Sequence, residues 1–217
     1  MTLDPTLSLG LTAREPRVAA TAVSEADYMR DHAESFHEWV DGAVIRKSPV
    51  TAEHDNLAYF LRGLLETYFV FQPIGQVKSA PFVMKPGADA RRREPDLQII
   101  RHDNPGSLTD TAMLGPADIC IEIVSEGSEE IDFGSKFVEY QRGGVREYWL
   151  IDPLRHEARF YRLNAEGIYL SQPVDAQGRY TTPLLPAFKL DTALLWSAPL
   201  PNPVQILALV QTMFPSG

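Results

Sequence analysis

The chain has 217 residues, 44% of them hydrophobic and 23% charged, with a formal net charge of -9 and one cysteine. That is the composition of one globular domain with a full core, and a single cysteine excludes a disulfide framework. No apolar run approaches the ~18 residues of a membrane span, the N-terminus lacks the pattern of a secretory signal, and the negative charge argues against broad attraction to nucleic acid, though not against a local basic groove. A cytoplasmic protein is therefore the expectation.

Residues 1–24 carry no sustained periodicity and read as an N-terminal extension, with residues 25–217 forming a single domain. Ser24 is placed to cap a short helix. Phe36 to Lys47, interrupted by Asp41-Gly42, has the form of a β-hairpin with a type I′ turn. Its Glu38 reads most simply as a solvated edge carboxylate. From Thr51 to Phe71, Leu57, Phe60, Leu61, Leu64, Leu65 and Tyr68 recur at helical spacing. Glu53 and His54 project onto the same face one turn upstream, while Asp55 points away. Gly75 to Lys85 reads as one strand. Arg91-Arg92-Arg93 follows, either as a solvated loop or as a phosphate contact at the mouth of a site.

Three short apolar runs come next: Glu94 to Ile100, Asp118 to Ser125 and Val145 to Asp152. Their Ile, Val and Leu content and their Pro, Gly and Asp boundaries predict strands. A polar loop joins the first two, over residues 101–116. Between the second and third, Ser128 is a candidate N-cap for a helix with an apolar stripe of Phe133, Phe137 and Tyr140. Lys136 lies at the edge of that stripe, and Gly143-Gly144 ends the helix. Beyond Asp152 the pattern is short antiparallel strands, then a closing helix over Pro201 to Phe214. Cys120 reads as a buried small hydrophobe.

The residue that needs explaining is Glu122. It interrupts Ile119-Cys120-Ile121-Glu122-Ile123-Val124, a run suited to a strand buried on both faces. A buried carboxylate is costly unless it is protonated, paired or bound to a metal. Asp96 lies at the start of the preceding strand and Lys136 on the following helix. Two carboxylates brought together suit a hard divalent cation such as Mg²⁺ or Mn²⁺, and a nearby ammonium suits hydrolysis of a phosphodiester. On residue types alone, a structural ion pair of Glu122 with Lys136 is the competing reading.

Glu38 with Asp41-Gly42, Ser48-Pro49 with His54, Pro95-Asp96, Ile121-Glu122-Ile123-Val124-Ser125, Lys136 with Tyr140, and Gly144 through Pro153 together resemble the Uma-type restriction endonuclease family of the PD-(D/E)xK nuclease superfamily. The resemblance covers about residues 25 to 195. It implies a restriction endonuclease-like α/β fold: a central mixed β-sheet flanked by helices, decorated by an N-terminal β-hairpin and a C-terminal β extension. It also implies that Asp96, Glu122 and the carbonyl of Ile123 hold the metal. The superfamily lysine stands two residues after the second acid. Val124 is there in this chain, and the resemblance assigns the role to the helical Lys136. Glu38 and His54 are further site candidates. The implied activity is Mg²⁺-dependent nucleic-acid hydrolysis, with DNA as partner and a homodimer as assembly. A non-catalytic interaction module on the same fold and a hydrolase of a small phosphorylated substrate are the alternatives.

Overall fold

The computed structural model describes residues 18–32, 37–40, 42–46, 51–87, 92–125, 128 and 131–214. In chain order the elements are β1 (Val18–Ala20), α1 (Glu25–Asp31), β2 (His37–Val40), β3 (Ala43–Arg46), α2 (Ala52–Phe71), β4 (Gly75–Ser79), β5 (Val83–Lys85), β6 (Leu97–Arg101), β7 (Ser107–Leu108), β8 (Ala112–Leu114), β9 (Ile119–Ile123), α3 (Lys136–Gly143), β10 (Glu147–Asp152), β11 (Glu157–Leu163), β12 (Tyr169–Gln172), β13 (Arg179–Tyr180), β14 (Leu190–Asp191) and α4 (Pro203–Gln211).

Among the described residues, six strands form the main sheet, in the order β12-β11-β10-β9-β6-β4. The central pair β9 and β10 is parallel, and its outer neighbours are antiparallel. The parallel pair needs a crossover connection, which α3 provides. β9 and β10 are buried along their whole length, as their near-continuous apolar runs require.

Alternation along these strands divides the core in two. Ile119, Ile121, Ile123, Trp149 and Ile151 face the apolar stripe of α2, with α4 and the C-terminal segments packed around them. Cys120, Val124, Tyr148 and Leu150 face the other way, against Tyr140 of α3 and Met84 and Met113 from the short strands. Both faces of the sheet are thus covered, and a mixed sheet flanked by helices is what is observed. No helix among the described residues is long and apolar enough to cross a membrane.

Several local expectations change. Val18–Ala20, within the expected extension, pairs with β3 in a three-stranded sheet ordered β1-β3-β2. The expected strand over Gly75 to Lys85 is two strands belonging to different sheets, β4 in the main one and β5 beside β8. The expected polar loop contains β7 and β8. In the C-terminal region, β11 and β12 extend the main sheet itself, while β13 and β14 pair separately. Ser24 caps α1 as expected, accepting from the Asp27 amide. Gly42 has the positive φ (84°) that its hairpin turn requires, while Asp41 lies outside the described residues. Gly144 ends α3 in the left-handed conformation at φ 85°.

The approach to α3 also differs. Ser128 does not cap it. The Ser128 Oγ accepts from the Ser125 amide and donates to the Ser125 carbonyl. A π-helical turn, Ile131–Ser135, leads into the α-helix instead. Glu129 and Glu130 lie outside the described residues.

Candidate active site

The register of β6 and β9 brings the two motif acids together. Leu97 pairs with Ile121 and Gln98 with Cys120, so Asp96 falls opposite Glu122 one step beyond the ladder. Opposed residues of an antiparallel pair share a face. Glu122 lies on the face covered by α3, where Tyr140 and Lys136 reach it.

The same ladder explains what surrounds Asp96. Even-numbered residues of β9 bond to β10, as Val124 does when its amide donates to the Ile151 carbonyl. Odd-numbered residues therefore turn toward β6. At Ile123 the partner position is Pro95, which has no N–H. The Asp96 carboxylate takes over part of the ladder: its Oδ2 accepts from the Ile123 amide at 2.8 Å. The Ile123 carbonyl points to the same side with no ladder donor opposite it. Asp96 Oδ2 is also 3.1 Å from Nε2 of His54. An ionised Asp96 can only accept, which puts the His54 proton on Nε2. His54 is buried in the first turn of α2, where its amide donates to the Thr51 cap. Glu53 is exposed, contrary to the expected inward projection, and only its neighbour His54 turns inward.

Glu122 is buried and held from α3. Tyr140 donates its hydroxyl to Oε1 at 2.7 Å, and the Lys136 ammonium lies 2.9 Å from Oε2. The same ammonium is 3.1 Å from Asp132 Oδ1 and 3.7 Å from Glu38 Oε1. Burial alone would lower the Lys136 pKa. Asp132, Glu122, Glu38 and Asp96 together override it and hold the pKa well above the usual lysine value. Burial, reinforced by Glu122, pushes the Tyr140 phenol well up.

Glu38 is no solvated edge carboxylate. It is 4% exposed, and its Oε2 accepts from Arg93 at 2.6 Å. Arg93 also makes a two-pronged contact with Glu139 of α3, at 2.8 and 2.9 Å. The phosphate-contact reading of the arginine run fails here, since Arg93 is consumed inside the protein. Arg92 is buried too and pairs with Glu25. Both arginines are pulled inward by backbone bridges, Arg92 to Trp39 and Arg93 to Met84. Arg91 lies outside the described residues.

The structure thus gathers Asp96, Glu122, Lys136, Glu38 and His54 at one end of the sheet. Sequence reasoning missed the parts of Asp132, Tyr140, Arg93 and Glu139. The signal for Asp132 was its spacing four residues before Lys136, one helical turn. Tyr140, four residues after Lys136, registered as an apolar position and in the family resemblance, with no hydrogen-bonding part assigned to it. Glu38, Asp96, Glu122, Asp132 and Glu139 face Lys136 and Arg93, so formal carboxylates outnumber formal cations among the described residues of the cluster.

Among the described residues, no three His, Cys, Asp or Glu side chains are grouped to hold an ion by themselves. The carboxylates nearest one another converge on the Lys136 ammonium. A cation at this site would draw on Asp96, Glu122 and the Ile123 carbonyl, with water completing its shell. Such a hard-oxygen set fits Mg²⁺ or Mn²⁺.

A protein-family model described as "Putative restriction endonuclease" matches residues 23–193. Among solved structures, the chain is similar to a crystal structure titled as a putative nuclease from Anabaena variabilis. The two share 18% identity at a TM-score of 0.61, over 74% of this chain and 89% of that one. This likeness shows a common restriction endonuclease-like fold. No curated protein matches the chain.

Proposed function

The chain belongs to the Uma2 family of restriction endonuclease-like proteins, and we propose that it is a metal-dependent nuclease hydrolysing phosphodiester bonds of nucleic acid at the Asp96–Glu122 site. The observation that carries the reading is the opposition of Asp96 and Glu122 across the end of the β6–β9 ladder, with Lys136 at Glu122.

Each residue then has a task. Asp96, Glu122 and the Ile123 carbonyl would hold the divalent cation. The cation supplies Lewis-acid chemistry, activating water and taking up charge on the phosphoryl group. His54 fixes the orientation of Asp96, and Tyr140 fixes Glu122. Lys136, kept protonated by its carboxylates, donates toward the attacking water or the phosphoryl oxygen. Asp132 and Glu38 hold the Lys136 ammonium beside Glu122. Arg93 and Glu139 hold Glu38 in turn.

The test is a panel of duplex DNA, single-stranded DNA, RNA and a small phosphate ester with Mg²⁺ or Mn²⁺. Wild type should cut at least one nucleic acid, and Glu122→Gln and Lys136→Ala should not. Release of phosphate from the small ester alone would replace the nuclease by a small-substrate hydrolase. A non-catalytic module is favoured by one observation, that Lys136 already has three carboxylates within 4 Å, as a structural ion cluster would. Complete inactivity with no response to metal would decide for it.

A further inference from the structure

The π turn before α3 carries two adjacent side chains with different destinations. Asp132 turns inward to Lys136, and Phe133 lies under the guanidinium of Arg159, which stands 5.0 Å from the ring centroid. Arg159 belongs to β11. Leu150 pairs with Glu122 on one side and with Arg159 on the other, so Glu122, Leu150 and Arg159 form one transverse row. Paired residues share a face, which puts Arg159 on the face that carries Glu122 and Lys136. Two strand spacings separate Arg159 from Glu122, roughly 10 Å between backbones.

The chemistry of the two ends differs. Arg93, Arg92 and Lys136 are buried and neutralised by carboxylates. Arg159 has 43% of its side chain exposed, and its carboxylate contact among the described residues is one nitrogen 2.9 Å from the similarly exposed Glu157. A planar guanidinium resting on an aromatic ring is pre-oriented, and its fork matches phosphate oxygens. Exposed pairs such as Arg159–Glu157 are weak and readily exchanged for another anion.

We propose that Arg159, seated on Phe133, is a backbone-phosphate contact of this site. It would grip a phosphate of the bound nucleic acid flanking the one at Glu122. The backbone offset of roughly 10 Å is too large for one phosphate to meet both residues, so the contact positions the strand and does not touch the bond being cut. A chain of net charge -9 needs such a local cation beside the site to hold a polyanion. The inference rests on the nuclease reading.

The experiment measures binding of a labelled DNA duplex, a labelled single strand and a labelled mononucleotide by fluorescence anisotropy, in Ca²⁺, from 50 to 200 mM salt. The proteins are wild type, Arg159→Ala, Arg159→Lys, Phe133→Leu, and Arg179→Ala as a remote exposed arginine. Loss of one phosphate contact lowers the slope of log K against log salt by about 0.9 for duplex. Arg159→Ala should show that loss on every sequence tested, Arg159→Lys should restore most of it, and Arg179→Ala should match wild type. Phe133→Leu should weaken binding less than Arg159→Ala does. An unchanged slope in Arg159→Ala, with wild type binding well, overturns the inference and leaves the nuclease reading standing. A wild type that binds no nucleic acid overturns both. An Arg159→Ala defect seen with a mononucleotide but not with the polymer assigns the arginine to a small phosphorylated substrate and overturns the strand contact.

Discussion

Two buried carboxylates on the two central strands invite comparison. Glu147, on β10, faces the α2 side of the sheet. It accepts from Trp149 Nε1, Tyr180 Oη, Thr182 Oγ1 and Arg162 Nε, at 2.9, 2.8, 2.6 and 2.7 Å. Glu122, on β9, faces the α3 side and shares the Lys136 ammonium with Asp132 and Glu38. Both carboxylates are almost fully buried, and each has a tyrosine hydroxyl. The difference lies in who else is present. Glu147 is surrounded by donors and satisfied by its own fold. Glu122 stands among other acids, an arrangement that a further cation would relieve. Burial is common to both carboxylates, and what sets Glu122 apart is its crowding by like charge.

Glu147→Ala should be the most damaging change. It strips one oxygen pair from four donors, including the partly buried Arg162. Losing one partner of such a network costs on the order of 3–5 kcal/mol. Urea unfolding should show the loss equally with EDTA and with Mg²⁺. Glu122→Gln should behave in the opposite way. In EDTA its stability should stay close to wild type, because Lys136 keeps Asp132 and Glu38. Mg²⁺ at a hundredfold excess over its dissociation constant should stabilise wild type by about 2.7 kcal/mol and leave Glu122→Gln unmoved. If the two mutants lose stability alike, and wild type ignores metal, the contrast between the two carboxylates is gone.

The tyrosines sharpen the comparison through pH. Burial and then Glu122 raise the Tyr140 pKa, and burial and then Glu147 raise that of Tyr180. A raised folded pKa means stability is full below the unfolded value near 10 and falls as pH rises through the window above it. Each phenol contributes a slope of up to about 1.4 kcal/mol per pH unit there. Tyr140→Phe and Tyr180→Phe should each flatten the alkaline limb of a stability-against-pH curve. An absorbance titration of folded wild type that counts every tyrosine ionising near pH 10 would refute both assignments. The smallest effect is expected at Gly134 in the π turn, where an added Cβ meets nothing within 4 Å. Gly134→Ala should stabilise by about 0.4–1 kcal/mol and leave the metal response intact, as thermal scans would show.

The sequence made the sheet's centre legible because its strands are continuous apolar runs and its crossover helix ends in paired glycines. It also singled out Glu122, since a carboxylate among isoleucines breaks the pattern. Glu147 escaped notice because it stands at the edge of its run, where a charge looks ordinary. Glu38 and Arg93 were misread for a related reason. Each looks like a surface charge in its own segment, and only the contact across 55 positions buries both. β7 and β8 lacked the length and alternation that predict strands. The π turn has no signature in periodicity, so Phe133 was assigned wholly to the apolar stripe, although its ring also supports Arg159.

The contact between Asp96 and the Ile123 amide has one more consequence, for hydrogen exchange. Ile121 donates within a ladder of backbone partners, so its amide exchanges only when the strands separate. The Ile123 amide is protected by a side chain, the carboxylate of Asp96. Its deuterium uptake thus reports the seating of that one carboxylate, independently of global opening. Removing the Asp96 carboxylate should accelerate exchange at Ile123 and leave Ile121 slow, while a cation drawing Asp96 away should loosen the same single amide. The chain carries within its central strand a spectroscopic gauge of whether its acid is turned toward the backbone or toward a ligand.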